Sequence, residues 1–328
     1  MSTETAEVQQ LVAAGRHAEA ADLLLATAEG GDAEALYILA TWRISGRIIR
    51  RDTAAARLCM GKAADAGHPD AMLLYAHFLA NGTGGPAERA EARAIFERLR
   101  DGLPEVDEQL VVLDRMAIDG NGNPTQPLRL ERLKDSPLVH TASHFLTDEE
   151  CDYLVRRAEP RLRPTTVIER ATGREIYHPV RRSDSMHFGV GNEDLVVSAI
   201  NRRIAAASDT RTEQGEPLQL LRYGPGGEFK PHHDAEKEGG NQRILTALIY
   251  LSDDYEGGET RFTRAGFSFR GRKGDLLLFS NVRTDGSPDP LAEHAGLPVR
   301  RGTKLVASRW IWREPRYFAP PEPIVSNL

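Results

Sequence analysis

At 328 residues, with 40% hydrophobic and 27% charged side chains, the chain has the make-up of a soluble globular protein with room for two domains. A formal charge of −6 gives no general attraction to nucleic acid, and basic pairs such as Arg156-Arg157 and Arg300-Arg301 read as solvated surface. Cys59 and Cys151 are too few for a disulfide framework, no apolar run approaches a membrane span, and the opening MSTETAEVQQ lacks a signal-peptide pattern, so a reducing cytoplasmic setting with no membrane partner is expected.

Residues 1–100 are rich in alanine and repeat internally. Ala28-Glu29-Gly30-Gly31 recurs as Ala64-Asp65-Ala66-Gly67, and Ala35 and Gly46 recur as Ala71 and Gly82, all at an offset of 36 residues. Small and aliphatic side chains fall at helical spacing in both copies (Ala35, Leu36, Leu39, Ala40; then Ala71, Met72, Tyr75, Ala76), and the glycines stand where a helix should stop. Asp52 is placed to cap the next helix, ahead of Ala54-Ala55-Ala56. Two helices per unit at this period predict an all-α helical-repeat solenoid, the alternative being a plain helical bundle. The segments GDAEALYILATWRISGRIIRRDTAAARLCMGKAADAG and HPDAMLLYAHFLANGTGG resemble Sel1-like repeats, relatives of the tetratricopeptide repeat.

The pattern weakens over 101–137, read as a linker with one more helix over Val106–Met116 and a turn at Asp119-Gly120-Asn121-Gly122-Asn123-Pro124. From 138 to 315 a second domain is expected, with 316–328 as a tail. Thr147 and Glu150 form a capping box for a helix reaching about Ala158, and an amphipathic helix is expected over Glu193–Ala207. Beyond Leu218 the chain turns to short β-like runs separated by Gly, Asp and Asn, which predict a sandwich or barrel. Thr246, Leu248 and Tyr250 share one strand face, as do Lys304, Val306, Ser308, Trp310 and Trp312.

Inside this β region lie His232 and Asp234, with His294 sixty residues after the Asp and Lys304 ten residues further on. A lone His-x-Asp would read as surface or capping residues. Two imidazoles and one carboxylate, however, cover only half of an octahedron and leave positions for a chelating co-substrate and O2, the arrangement of non-haem Fe(II) oxygenases. The lysine would anchor an anionic co-substrate. His233, between two ligands, should turn away from the metal.

The stretch LRYGPGGEFKPHHD, RILTALIYLSDDYEGGETRF, KGDLLLFSN and HAGLPVRRGTKLVASRW resembles, in order and spacing, the core of the prolyl 4-hydroxylases, Fe(II)/2-oxoglutarate-dependent dioxygenases. The resemblance spans roughly 138–313 and takes in Arg182-Ser183-Asp184-Ser185. It implies a double-stranded β-helix (jelly-roll or cupin-like) with flanking helices, so that the whole chain is an α+β multidomain protein. It assigns His232, Asp234 and His294 to Fe(II) and Lys304 to the distal carboxylate of 2-oxoglutarate. Tyr223 and Tyr250 match positions that hydrogen-bond the co-substrate, though each could equally be a core tyrosine with a satisfied hydroxyl. Trp310 matches a pocket position and Arg182 could meet substrate, against core and surface ion-pair readings respectively. Leu297, Ala292 and Ser280 depart from the family pattern outside the ligand set.

The implied reaction is hydroxylation of a C–H bond with O2 and 2-oxoglutarate, releasing succinate and CO2, with ascorbate as helper. A peptidyl proline is the favoured substrate, recruited by the N-terminal repeats, and a loop over Ala235–Asn241 could act as a lid. Alternatives are hydroxylation of a free amino acid or other small molecule, a zinc hydrolase on the same donors, and a repeat scaffold with an inactive oxygenase domain.

Overall fold

The computed structural model describes residues 2–168, 175–178, 180–236, 240–315 and 323–325, and the chain divides into two compact units. Among the described residues of the first, seven helices follow one another: Thr3–Ala13, His17–Glu29, Ala33–Ser45, Thr53–Asp65, Pro69–Asn81, Arg89–Leu99 and Pro104–Arg115. The helices opening at His17 and Ala33 recur 36 residues on as those opening at Thr53 and Pro69, each of 13 residues. Asp32 accepts from the Ala35 amide, Asp52 from Ala55 and His68 from Ala71, so a side chain caps three of the four starts, the one at His17 excepted. Gly46 and Gly82 end their helices at φ 65° and 69°, a left-handed turn that a Cβ would strain.

The alanines are the contact surface: Ala20, Ala21, Ala35, Ala40, Ala56, Ala63 and Ala71 are all buried, and Leu24, Leu36, Leu39, Met60 and Phe78 fill the space between helices. Pro104–Arg115 packs Val106 and Leu110 on Ala92, Ile95 and Phe96, so a segment expected to lie in a linker supplies core. Val325, expected in a tail, forms a parallel bridge with Ile49.

Among the described residues the second unit carries two main antiparallel sheets, besides two small two-stranded ones. In the larger, eight strands lie in the order Glu131–Asp135, Leu138–Ala142, Leu276–Ser280, Arg243–Tyr250, Lys304–Trp312, Leu218–Tyr223, Asp184–Phe188, Arg163–Pro164. In the smaller, five strands run Phe267–Phe269, Thr260–Phe262, His294–Gly296, Glu228–His232, Arg181–Arg182. Apart from the hairpins at 131–142 and 260–269, neighbouring strands within these two main sheets are distant in sequence, the crossed connectivity of a jelly-roll. Tyr250, Leu277, Phe279 and Val306 of the large sheet meet Phe262, Phe267 and Phe269 of the small one in a shared core. Helix Asp148–Ala158 has the expected capping box, with Thr147 and Glu150 each accepting from the other's amide. Helix Leu195–Ser208 follows the second helical pattern, its residues from Ala199 on belonging to this unit.

Along Lys304–Trp312 the strand alternation separates two environments. Lys304, Val306, Ser308 and Trp310 line a cavity between the sheets. Arg309 points to the other side, where it is buried and donates to the carbonyls of Asn201, Thr212 and Glu216. Glu150 and Arg203 form a buried, two-pronged ion pair (2.7 and 2.8 Å) between the two helices, and Arg203 also reaches the Phe145 carbonyl.

Candidate active site

His232 ends the strand Glu228–His232, Asp234 follows two residues later, and His294 opens a neighbouring strand as the direct cross-strand partner of His232. One ligand atom from each of the three lies within 4.8 Å of the others. Each histidine Nε2 stands 3.6 Å from an oxygen of Asp234. Their Nδ1 atoms face the carbonyls of Lys230 (2.8 Å) and Ala292 (3.0 Å). A carbonyl only accepts, so each ring carries its proton on Nδ1 and turns the Nε2 lone pair toward the shared space.

The carboxylate is held with equal economy. Asn281 donates to the Thr246 hydroxyl (2.9 Å), which commits that hydroxyl's hydrogen to Asp234 Oδ2 at 2.7 Å. Burial opposes ionisation of Asp234, but His294, His232, Thr246 and the Trp310 indole together outweigh it and lower its pKa. Burial, and after it the neighbouring His294, pushes His232 down to about 4. A neutral His232 ring beside an ionised Asp234 carboxylate is the protonation a divalent ion requires of those two donors. The three donors therefore fit a ferrous ion with open positions.

Lys304 stands across the cavity. It is 5% exposed, pairs in the sheet with Tyr223, and donates to the Gly258 carbonyl at 2.6 Å. Burial pushes its pKa down to about 8, with Glu259 offsetting a little of the effect, and no carboxylate pairs with it among the described residues. The Gly257-Gly258 turn has φ of 74° and 70°. A Cβ on Gly257 would come within 2.4 Å of the Pro298 carbonyl, so the turn that aims the Gly258 carbonyl at Lys304 needs glycine.

Tyr223 lines the cavity, its hydroxyl bonded to Ser183, and burial pushes its pKa up to about 12. Tyr250 stands one layer back in the core, where its hydroxyl meets Thr260 (2.8 Å), and Thr260 forms the wall. Trp310 lines the cavity with the Arg243 guanidinium 4.2 Å from its ring centroid. Arg182 lies outside, exposed and 3.5 Å from the Gly226 carbonyl. Its neighbour Arg181 is the one that enters, over the Phe229 ring at 5.3 Å.

Sequence reasoning missed Arg181, Phe229 (stacked 3.5 Å from the His232 ring) and the Thr246–Asn281 relay. The signal for Arg181 lay in strand alternation at Arg181-Arg182, which sends one arginine in and one out. His233 turns away, its Nε2 3.7 Å from Glu293. Of the departures from the family pattern, Leu297 lines the cavity, and Ala292 touches the ligand set through its carbonyl alone, which its side chain does not alter. Residues 237–239 of the expected lid lie outside the described residues. Counted out to its open mouth, the cavity holds about 550 Å3.

Residues 218–312 match the family described as the 2OG-Fe(II) oxygenase superfamily. Prolyl 4-hydroxylase 1 of Arabidopsis thaliana is 36% identical over 249 residues, which is 70% of this chain and 85% of that protein. Prolyl 4-hydroxylase 5 of the same plant is 35% identical over 205 residues, 55% of this chain and 70% of its own. Among solved structures, a viral collagen prolyl hydroxylase from Paramecium bursaria Chlorella virus 1 aligns with 55% of this chain and 98% of its own, at 26% identity and a TM-score of 0.45. Fold and site thus define a dioxygenase whose class uses Fe(II), 2-oxoglutarate and O2. The chain belongs to the prolyl 4-hydroxylase family of these enzymes.

Proposed function

We propose that this chain hydroxylates a peptidyl proline, with His232, Asp234 and His294 holding Fe(II) and Lys304 receiving the distal carboxylate of 2-oxoglutarate. One observation carries the assignment: two imidazoles and one carboxylate share a cavity with a buried ammonium that has no carboxylate partner among the described residues. When bound, the ferrous ion supplies the oxidation, drawing on O2 and 2-oxoglutarate to convert C–H into C–OH with release of succinate and CO2.

The chain's own groups bind, orient and shield. The carbonyls of Lys230 and Ala292 lock both histidine tautomers, and Thr246 holds the carboxylate rotamer. Lys304, steadied by the Gly258 carbonyl, supplies the charge that a dicarboxylate needs, and Tyr223 and the Tyr250–Thr260 pair present hydroxyl groups beside it. Leu221, Leu248, Leu297 and Val306 keep the walls apolar, which excludes water and strengthens these contacts. No general base is asked of the protein. Trp310 and Arg181 are the walls toward the substrate.

The wider assignments rest on the same reading. The helical unit serves as Sel1-like repeats that recruit the target protein, a role that its alanine-packed helix pairs at a 36-residue spacing support. Ascorbate serves to restore the ferrous state. A reducing cytoplasm suits two free thiols, and among the described residues no helix is long and apolar enough to cross a membrane.

The test is anaerobic titration with Fe(II) and 2-oxoglutarate, followed by oxygen-dependent succinate release with proline peptides. His232→Ala and Asp234→Ala should abolish both metal binding and turnover. Lys304→Ala should raise the KM for 2-oxoglutarate by about two orders of magnitude, the usual cost of removing one partner of a desolvated charge pair. Wild-type turnover in all three variants would end this reading.

A further inference from the structure

Beside the catalytic cavity runs a second, wider groove, about 1250 Å3 counted out to solvent, and Arg181 lines both. We infer that this groove selects peptides carrying an acidic side chain close to the target residue. The inference rests on the proposed peptide hydroxylation and names the kind of peptide.

Charge is the first support. Among the described residues the groove wall holds four formal cations, Arg181, Arg182, Arg222 and Lys230, against two carboxylates, Asp184 and Glu228, in a chain whose formal charge is −6. Arg222 is spoken for, donating to Asp184 Oδ2 through Nε (2.9 Å) and Nη2 (2.7 Å). Among the described residues, three cations then face one carboxylate. His178, whose pKa is lowered by burial and then by Arg181, adds no further charge at neutral pH.

The availability of those cations is the second. Among the described residues the Arg182 side chain has one hydrogen bond, to the Gly226 carbonyl at the 3.5 Å limit, and Lys230 is exposed. Among the described residues neither has a carboxylate partner. A single cation on a convex surface would be solvated and unselective. Cations gathered on a concave wall focus the field, and their charge-assisted bonds form where a bound chain displaces water.

The third support is the apolar rim. Tyr177 is 76% exposed and Val180 37%, and both line the groove. An extended peptide crossing this wall would lay aliphatic or proline rings on that rim while its acidic side chain reached Arg182 and Lys230. Its neighbouring residue would then stand at Arg181, the wall shared with the cavity.

The experiment uses the full chain and three peptides identical except for Glu, Gln or Lys flanking one proline. Binding is read anaerobically by fluorescence anisotropy with Fe(II) and 2-oxoglutarate present, and hydroxylation by mass after oxygen is admitted. The Glu peptide should bind roughly tenfold more tightly than the Gln peptide and the Lys peptide least, with the gap shrinking as salt is raised. The double variant Arg182→Glu/Lys230→Glu should invert the order, and tight binding of the Lys peptide would itself show that this variant is folded. Charge-blind binding by the wild type, or an unchanged order in the double variant, overturns the inference while hydroxylation, if intact, leaves the proposed function standing. Acid-selective binding with no hydroxylation of any proline peptide does the reverse.

Discussion

At the scale of single residues, the site is governed by groups that hold other groups. Thr246 is the clearest: it takes a hydrogen bond from Asn281 and gives one to Asp234, so Thr246→Val removes a donor and leaves Asn281 Nδ2 without its acceptor. Metal affinity should fall about 10- to 100-fold while the fold survives, as a Co(II) titration of the apo protein would show. Lys304 makes a different demand. An unfolded lysine keeps its proton to about pH 10.5, whereas this one loses it near 8. The unfolded chain therefore binds more protons than the apo fold between those values, and the stability contributed by this group rises with pH across that window. Below pH 8 the buried ammonium costs on the order of 3 kcal/mol. Lys304→Met should accordingly raise the melting temperature of the apo protein at pH 7, with the gain gone by about pH 10.5. For the wild type, 2-oxoglutarate affinity should weaken about tenfold per unit above pH 8, which titration of the Mn(II)-loaded protein can follow.

At the scale of elements, the helices were legible because their signals are local. A Thr147 cap with Glu150 three residues on, or a glycine after an alanine-rich run, specifies a boundary without knowledge of the rest of the chain. The strands upstream of Leu218 were not. Glu131–Asp135, Arg163–Pro164 and Arg181–Arg182 are short and polar, and they are strands because neighbours in the sheet satisfy their backbones. The same gap explains why Arg182 was singled out: two adjacent arginines are distinguishable only when the strand's phase is known. His232, Asp234, His294 and Lys304 were picked out through the family resemblance of their motifs, whereas the Thr246–Asn281 relay depends on side chains 35 residues apart meeting in space. Glu150 shows how one residue serves two levels, closing the capping box and pairing with Arg203 in the interior. Glu150→Ala leaves a buried guanidinium uncompensated and should cost about 3–5 kcal/mol, read from chemical denaturation. Replacing both partners with apolar residues of similar volume should cost less than that, since the stranded charge then disappears.

At the scale of the whole molecule, two units with separate cores should answer separately to ligands. The clusters around Leu24 and Met60 and around Ile95 and Phe96 belong to the helical unit, and those around Phe262 and Phe279 and around Tyr223 and Tyr255 belong to the jelly-roll. His232, Asp234, His294 and Lys304 all lie in the second. A ligand that binds only the native site stabilises by about 2.7 kcal/mol at one hundred times its Kd. For a unit of this size that corresponds to a shift of roughly 5–10 °C. Calorimetry of the full chain should therefore resolve two transitions, and Mn(II) with 2-oxoglutarate should move one upward and leave the other in place. Asp234→Ala should erase the shift while leaving the unmoved transition as it was, because that side chain has no part in the helical core. A single transition that moves as a whole would mean that the units unfold together, and the helical unit would then be part of the catalytic fold rather than a separately stable platform for recruiting a target.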